Sequence, residues 1–327
     1  MAEPSLPSLL ERRLVIVTGK GGTGKTTVTA ALGLAAARHG RRVLVAEVGR
    51  DGELPGLFGV PARPGDHEAR PVHPGVTAMR IDPYAALAEY LGLQIGLRGL
   101  VERVLRNPGF HQLMDASPGW RELITLGKVW HLEQMREPDG RPRFDLLVID
   151  APATGHGLTF LDVPRVVVSA VRAGPLRRHA ALVEAMIADP EQTLLLPVAL
   201  AEELPARETG ELVARARERT GIEVDRVVVN AVASPPFPPG LEDLDQRLAR
   251  LPADAALPGL PPAPVLAACT RHLRQRFALN REYLVEIARG TGLPLVVLPL
   301  LPGGVEGLAA LERLGAALLQ APDGGRG

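Results

Sequence analysis

The stretch that most constrains this chain is residues 14–32, LVIVTGKGGTGKTTVTAAL, which passes from an apolar β-branched run through a glycine-rich turn into a helical pattern. Residues 19–26, GKGGTGKT, satisfy G-x-x-x-x-G-K-[ST], with the strand before and the helix after that this pattern requires. Glycines at 19, 21, 22 and 24 let the backbone curl so that its N–H groups converge, while the start of the helix adds partial positive charge. A loop of this kind cradles phosphate. Lys25 is expected to reach the β and γ phosphates of a nucleotide, and the Thr26 hydroxyl to ligate Mg²⁺. Gly21, Gly22, Thr23, Gly24 and Thr27 complete the expected phosphate-binding set.

The rest of the chain repeats the strand–helix rhythm. Short β-branched runs at 14–19, 42–48, 76–81, 144–152, 193–200, 225–232 and 293–300 alternate with longer helical patterns, three of them closed by Gly40, Gly221 and Gly290. Continuous apolar strands separated by helices predict an α/β fold, a doubly wound and mostly parallel sheet covered on both faces. Residues 82–137 break the rhythm: Leu97, Leu100, Val101, Val104 and Leu105 follow a helical template. The organisation expected is a nucleotide-binding core formed by 1–81 and 138–327, with 82–137 as a helical insert. Two loops are rich in proline: the one within 234–265 reads as a surface linker, while 60–75 follows a nucleotide-facing strand and is expected to move with ligand.

Composition narrows the partners. Lys+Arg and Asp+Glu both number 37, so no global charge draws the chain to nucleic acid or anionic lipid. One cysteine, Cys269, excludes an intrachain disulfide and any metal site built from several cysteines of one chain, which fits a cytoplasmic protein. The start, MAEPSLPSLLERR, lacks the pattern of an export signal and reads as a short floppy arm. Proline interrupts the most apolar stretches well short of the roughly 20 residues that a membrane-spanning helix needs.

The loop holds a second lysine, Lys20, in a chain whose only other lysine besides Lys25 is Lys128. A second cation beside the phosphates costs repulsion unless it faces elsewhere. KGGTGKTT resembles the deviant phosphate loop shared by MinD, ParA, the nitrogenase iron protein and the ArsA/GET family of ATPases. That resemblance implies that Lys20 reaches the nucleotide of a facing subunit, and hence a dimer. Asp150 ends an apolar run, where a carboxylate can hold Mg²⁺ through water. The stretch DLLVIDAPATGH, with His156 six residues after Asp150, resembles the ArsA/GET switch II segment. AMRIDPYAALAEYL (78–91), EELPARETGEL (202–212), VVVN (227–230) and LPLLPGGVEGLAAL (298–311) extend the resemblance over most of the chain. By it, the Asn230 amide pairs with the adenine edge, and Pro299 belongs to the segment closing over the base.

Two departures matter. Where the family carries Asp-Pro-Ala-His after its second strand, the aspartate positioning the attacking water, this chain places Gly49, flanked by Glu47 and Asp51. Asp51 is the residue expected to substitute, and turnover is expected to be slow. The C-x-x-C of the eukaryotic targeting members is absent, so their zinc clamp is not carried over. With only Met114 and Met135, the insert's apolar stripe reads as core packing rather than a client groove. The resemblance thus implies an ATP- and Mg²⁺-dependent dimeric switch, homomeric or paired with a paralogue, acting on a protein client. Two rivals remain: a nonhydrolysing sensor or scaffold subunit, and a positioning ATPase of the MinD/ParA kind.

Overall fold

The computed structural model describes residues 8–49, 52–61, 63, 67–95, 107, 119–252, 255 and 259–320. Its strands are β1 (Leu14–Gly19), β2 (Val43–Val48), β3 (Arg70–His73), β4 (Val76–Ile81), β5 (Leu146–Asp150), β6 (Thr193–Leu200), β7 (Val227–Val232) and β8 (Leu295–Pro299). They form one sheet in the order β3-β4-β2-β5-β1-β6-β7-β8, parallel throughout except for the β3–β4 pair. The described helices, in chain order, are α1 (Ser8–Glu11), α2 (Lys25–Arg38), α3 (Leu54–Leu57), α4 (Pro83–Ile95), α5 (Trp120–Gln134) and α6 (Thr154–Ala170). They continue with α7 (Pro175–Ala188), α8 (Glu203–Thr220), α9 (Leu244–Ala249), α10 (Ala263–Thr291) and α11 (Gly307–Leu318).

The uninterrupted apolar runs are explained by burial on both sides. Along the inner strands successive side chains alternate between two cores. Leu14, Ile16, Leu44, Leu147, Ile149, Leu195 and Val229 pack beneath α5, α6, α7, α8 and α10. Val15, Val17, Val43, Val45, Leu146, Val148 and Val228 pack beneath α1, α2, α3 and α11. At roughly 1.5–3 kcal/mol for each large apolar side chain removed from water, these layers dominate what holds the sheet together.

Several details depart from the sequence reading. β3 lies within the proline-rich 60–75 stretch that was expected to be a loop. Pro71 cannot donate to a ladder, but β3 is an edge strand and its register shifts between Pro71 and His73, where proline is tolerated. The N-terminal stretch is not a floppy arm from Ser8 onward, because Leu9 and Leu10 are buried in the second core and Arg226 donates to the Ser8 hydroxyl at 2.8 Å. Gly221 does cap α8, at φ +69°, but α10 runs through Gly290 and is capped by Gly292 at φ +65°. Gly290 instead serves a helix crossing: a Cβ added at Gly210 of α8 would stand 3.3 Å from the Gly290 carbonyl oxygen. The apolar template from Leu97 to Leu105 lies outside the described residues.

Candidate functional site

β1 is flanked by β5 and β6, so the turn leaving it opens at the carboxyl ends of three buried strands. Gly22 and Gly24 turn the loop in the left-handed region, at φ +80° and +86°. Gly24 is the N-cap of α2 and has no side chain to satisfy the helix's first N–H groups; the first helical bond runs from Val28 N–H to the Gly24 carbonyl. The N–H groups of Lys25, Thr26 and Thr27 therefore precede it, directed at an anion's position.

Within this turn Lys25 folds back, its ammonium donating to the Lys20 carbonyl at 3.1 Å, and the Thr23 hydroxyl donates to the same oxygen at 3.0 Å. Burial pulls the Lys25 pKa down, while the charge of Asp150 raises it. Asp150 is 5% exposed, at the end of β5 beside Val17 of β1. Thr26 donates to one of its carboxylate oxygens at 2.6 Å; the other, Oδ1, is buried without a hydrogen-bond partner. A buried, half-satisfied carboxylate joined to a hydroxyl is a donor set that suits a hard divalent cation.

Burial raises the Asp150 pKa to about 6, against the opposing effects of the Thr26 hydrogen bond and the Lys25 charge. An acid whose folded pKa exceeds its unfolded value binds its proton more tightly when folded, so stability falls as pH rises from about 4 to about 6. Above that window the ionised group costs about 3 kcal/mol. In metal-free protein under EDTA, Asp150→Asn should raise urea-unfolding stability by about 2–3 kcal/mol at pH 7.5 and by almost nothing at pH 4. A gain independent of pH would refute the burial account.

Lys20 points out of the loop. Its ammonium lies 2.6 Å from Oε1 of Glu208 on α8, and both side chains are nearly half exposed, at 43% and 44%. Sequence reasoning missed Glu208, which lies 188 residues away and carries no local signal.

At the other end, Asn230 near the end of β7 donates its amide to the Thr23 carbonyl at 2.9 Å, tying that strand to the phosphate loop. Its neighbour Ala231 has φ +55°, and β7 shifts register against β8 between Val229 and Val232, beside Pro299. Such a non-glycine conformation stores about 1–3 kcal/mol and needs support. Asn280 of α10 supplies it, accepting from Ala233 N–H at 2.9 Å and donating to the Ala201 carbonyl at 3.0 Å. This residue too escaped the sequence reading.

After β2, Gly49 takes φ +145°, a conformation that side-chain-bearing residues rarely adopt. Glu47 pairs in register with Asp150, and its carboxylate accepts from the N–H groups of Glu53 at 2.9 Å and Leu54 at 3.3 Å. Burial raises its pKa against those two hydrogen bonds. Asp51 lies outside the described residues, as does the side chain of His156, whose backbone forms the first turn of α6. A separate cavity of about 270 Å³ lies between α4, α5 and α7, lined by Tyr90, Trp120, Trp130 and His179, and shares no residue with the phosphate loop.

A parallel sheet of this order, with a glycine-rich anion cradle leaving β1 and a buried carboxylate ending β5, defines an α/β P-loop nucleotide-binding protein. The chain belongs to the anion-transporting ATPase (ArsA) family, whose profile matches residues 12–182. It is 32% identical over 322 residues to the ATPase BagA of Mycobacterium tuberculosis, covering 94% of this chain and 93% of that protein. Against the arsenical pump-driving ATPase of Acidiphilium multivorum it is 28% identical over 236 residues, 66% of this chain and 38% of that protein. The ATPase GET3 of Candida glabrata is 30% identical over 175 residues, 50% of this chain and 49% of that protein. Family membership supports nucleotide binding and ATP hydrolysis of the ArsA/GET type.

Proposed function

We propose that the chain is an ATP- and Mg²⁺-dependent dimeric switch that acts on a protein client or partner in the cytoplasm. The observation that carries this reading is the opposed placement of two lysines on one loop. Lys25 is folded against the loop backbone, whereas Lys20 stands outside it, half exposed. Lys25 serves the phosphates of its own subunit, and Lys20 those of a facing one, where its charge offsets negative charge developing on the transferred phosphoryl. The backbone of Gly21, Gly22, Thr23 and Gly24 and the N–H groups of Lys25, Thr26 and Thr27 cradle the phosphates. Thr26 directly, and Asp150 through water, would hold Mg²⁺, which when bound would offset negative charge on the phosphates. Asn230 turns its Oδ1 and remaining N–H to the base edge, and Pro299, which pairs with Val232, belongs to the segment closing over the base.

A second reading is favoured by Gly49. With no side chain there, and with Glu47 engaged by Glu53 and Leu54, Asp51 is left to position the attacking water or a paralogous partner must supply the carboxylate. In that case the chain is a slow or nonhydrolysing subunit of a heterodimer. A membrane-positioning role is disfavoured because α11 buries Leu311, Leu314 and Leu318 in the second core. No helix among the described residues is long and apolar enough to cross a membrane.

Phosphate release at saturating Mg·ATP separates the readings. The isolated chain should hydrolyse slowly, and Lys20→Ala should lower turnover about 100-fold with ATP affinity held within about twofold. An affinity loss matching the turnover loss would overturn the trans role of Lys20, and no release at all by the parent chain would favour the nonhydrolysing reading.

A further inference from the structure

The Lys20–Glu208 contact has features of a built device. Glu208 lies in the second turn of α8, and its neighbour Thr209 is pinned by a 2.6 Å hydrogen bond to the Pro205 carbonyl. Gly19, Lys20, Thr23, Val198, Pro205, Glu208 and Leu212 close around a niche too small for a ligand, about 10 Å³. The nearby Glu211 is engaged elsewhere, by Arg215 at 3.0 Å one turn along the same helix. Glu208 is thus the carboxylate that meets Lys20, and it meets it in cis.

We propose that Glu208 is a positioning residue that holds Lys20 in a resting contact on its own subunit and must release it when two copies of the chain close over nucleotide. The cost is plain from the contact. An ammonium that is to serve a facing nucleotide must first leave Glu208, so the cis pair opposes closure until a polyphosphate outcompetes it. A half-exposed carboxylate is weak enough to yield to the higher charge of a polyphosphate and strong enough to set the resting direction of the side chain. Closure of a symmetric pair therefore breaks two such contacts. The inference rests on the reading of Lys20 as a residue acting across the dimer.

Sedimentation of the full chain with ADP, Mg²⁺ and aluminium fluoride, titrated over protein concentration, tests it. Glu208→Gln keeps the shape and removes the charge. The variant should dimerise at about fivefold lower concentration than the parent chain, with the ADP affinity of the dilute monomer unchanged. The advantage should shrink as salt is raised, because screening weakens the parent's contact. In a Lys20→Ala background the Glu208→Gln effect should vanish, an outcome that a merely structural role for Glu208 would not give. If Lys20→Ala weakens closure but Glu208→Gln does not strengthen it, or strengthens it equally without Lys20, the restraint is refuted and the trans lysine survives. If the parent chain does not dimerise, or Lys20→Ala leaves dimerisation unchanged, the trans reading itself fails.

Discussion

Replacing Lys25 with alanine should weaken Mg·ATP binding at least about 100-fold by calorimetry while leaving the chain folded. The side chain is already half-withdrawn from water, with its ammonium on the Lys20 carbonyl, so a nucleotide meets a charge that was partly desolvated on folding. Its removal leaves phosphate oxygens facing the ionised Asp150 with less cationic compensation. Lys128→Ala provides the control: that ammonium pairs with Glu89 among the helices, 2.5 Å away, and its loss should not change affinity. An affinity within about threefold of the parent in Lys25→Ala would remove the basis for the site.

Gly19→Ala should destabilise the ligand-free chain by about 3–5 kcal/mol in urea unfolding and lower its melting temperature by roughly 4–7 °C. Gly19 has φ +153°, and a Cβ there would stand 2.2 Å from the carbonyl oxygen of Val198, its register partner on β6. That oxygen is backbone in a buried strand, so relief requires the central β1–β6 pairing to shift. Gly22 offers the contrast. It lies at φ +80° with nothing within 4 Å of a Cβ, so Gly22→Ala should cost only the conformational strain of about 1–2 kcal/mol. Equal costs at the two positions would show that close approach to Val198 is not the cause.

What the sequence made legible follows from how local each signal is. The seven parallel strands announce themselves because burial on both faces keeps their runs apolar, with polar residues such as Glu47, Asp150 and Asn230 gathered toward the carboxyl ends. Val15 and Ile16 look alike in sequence although they face different cores. The phosphate loop is equally legible, since the residues at Gly24, Lys25 and Thr26 are contiguous and their spacing carries the geometry. β3 was not, because a four-residue edge strand containing proline depends on its partner β4 rather than on its own pattern. Nor were Glu208 and Asn280. Each is an ordinary helix residue until the fold brings α8 to the loop and α10 to the ends of β6 and β7. The end of α10 shows the same limit: Gly290 and Gly292 are both plausible stops in sequence, and only the crossing with Gly210 gives the first a different task.

The amide of Asn230 occupies space that exists only because residue 24 lacks a side chain: a Cβ on Gly24 would fall 2.2 Å from the Asn230 nitrogen. An alanine at 24 would push that amide off the Thr23 carbonyl, 207 positions away along the chain. The two sites are therefore one choice made twice. In the space of sequences open to this fold, position 24 stays confined to glycine for as long as position 230 keeps its amide. Drift at either end is answerable to the other, and the end of β7 and the glycine-rich loop are constrained as a pair.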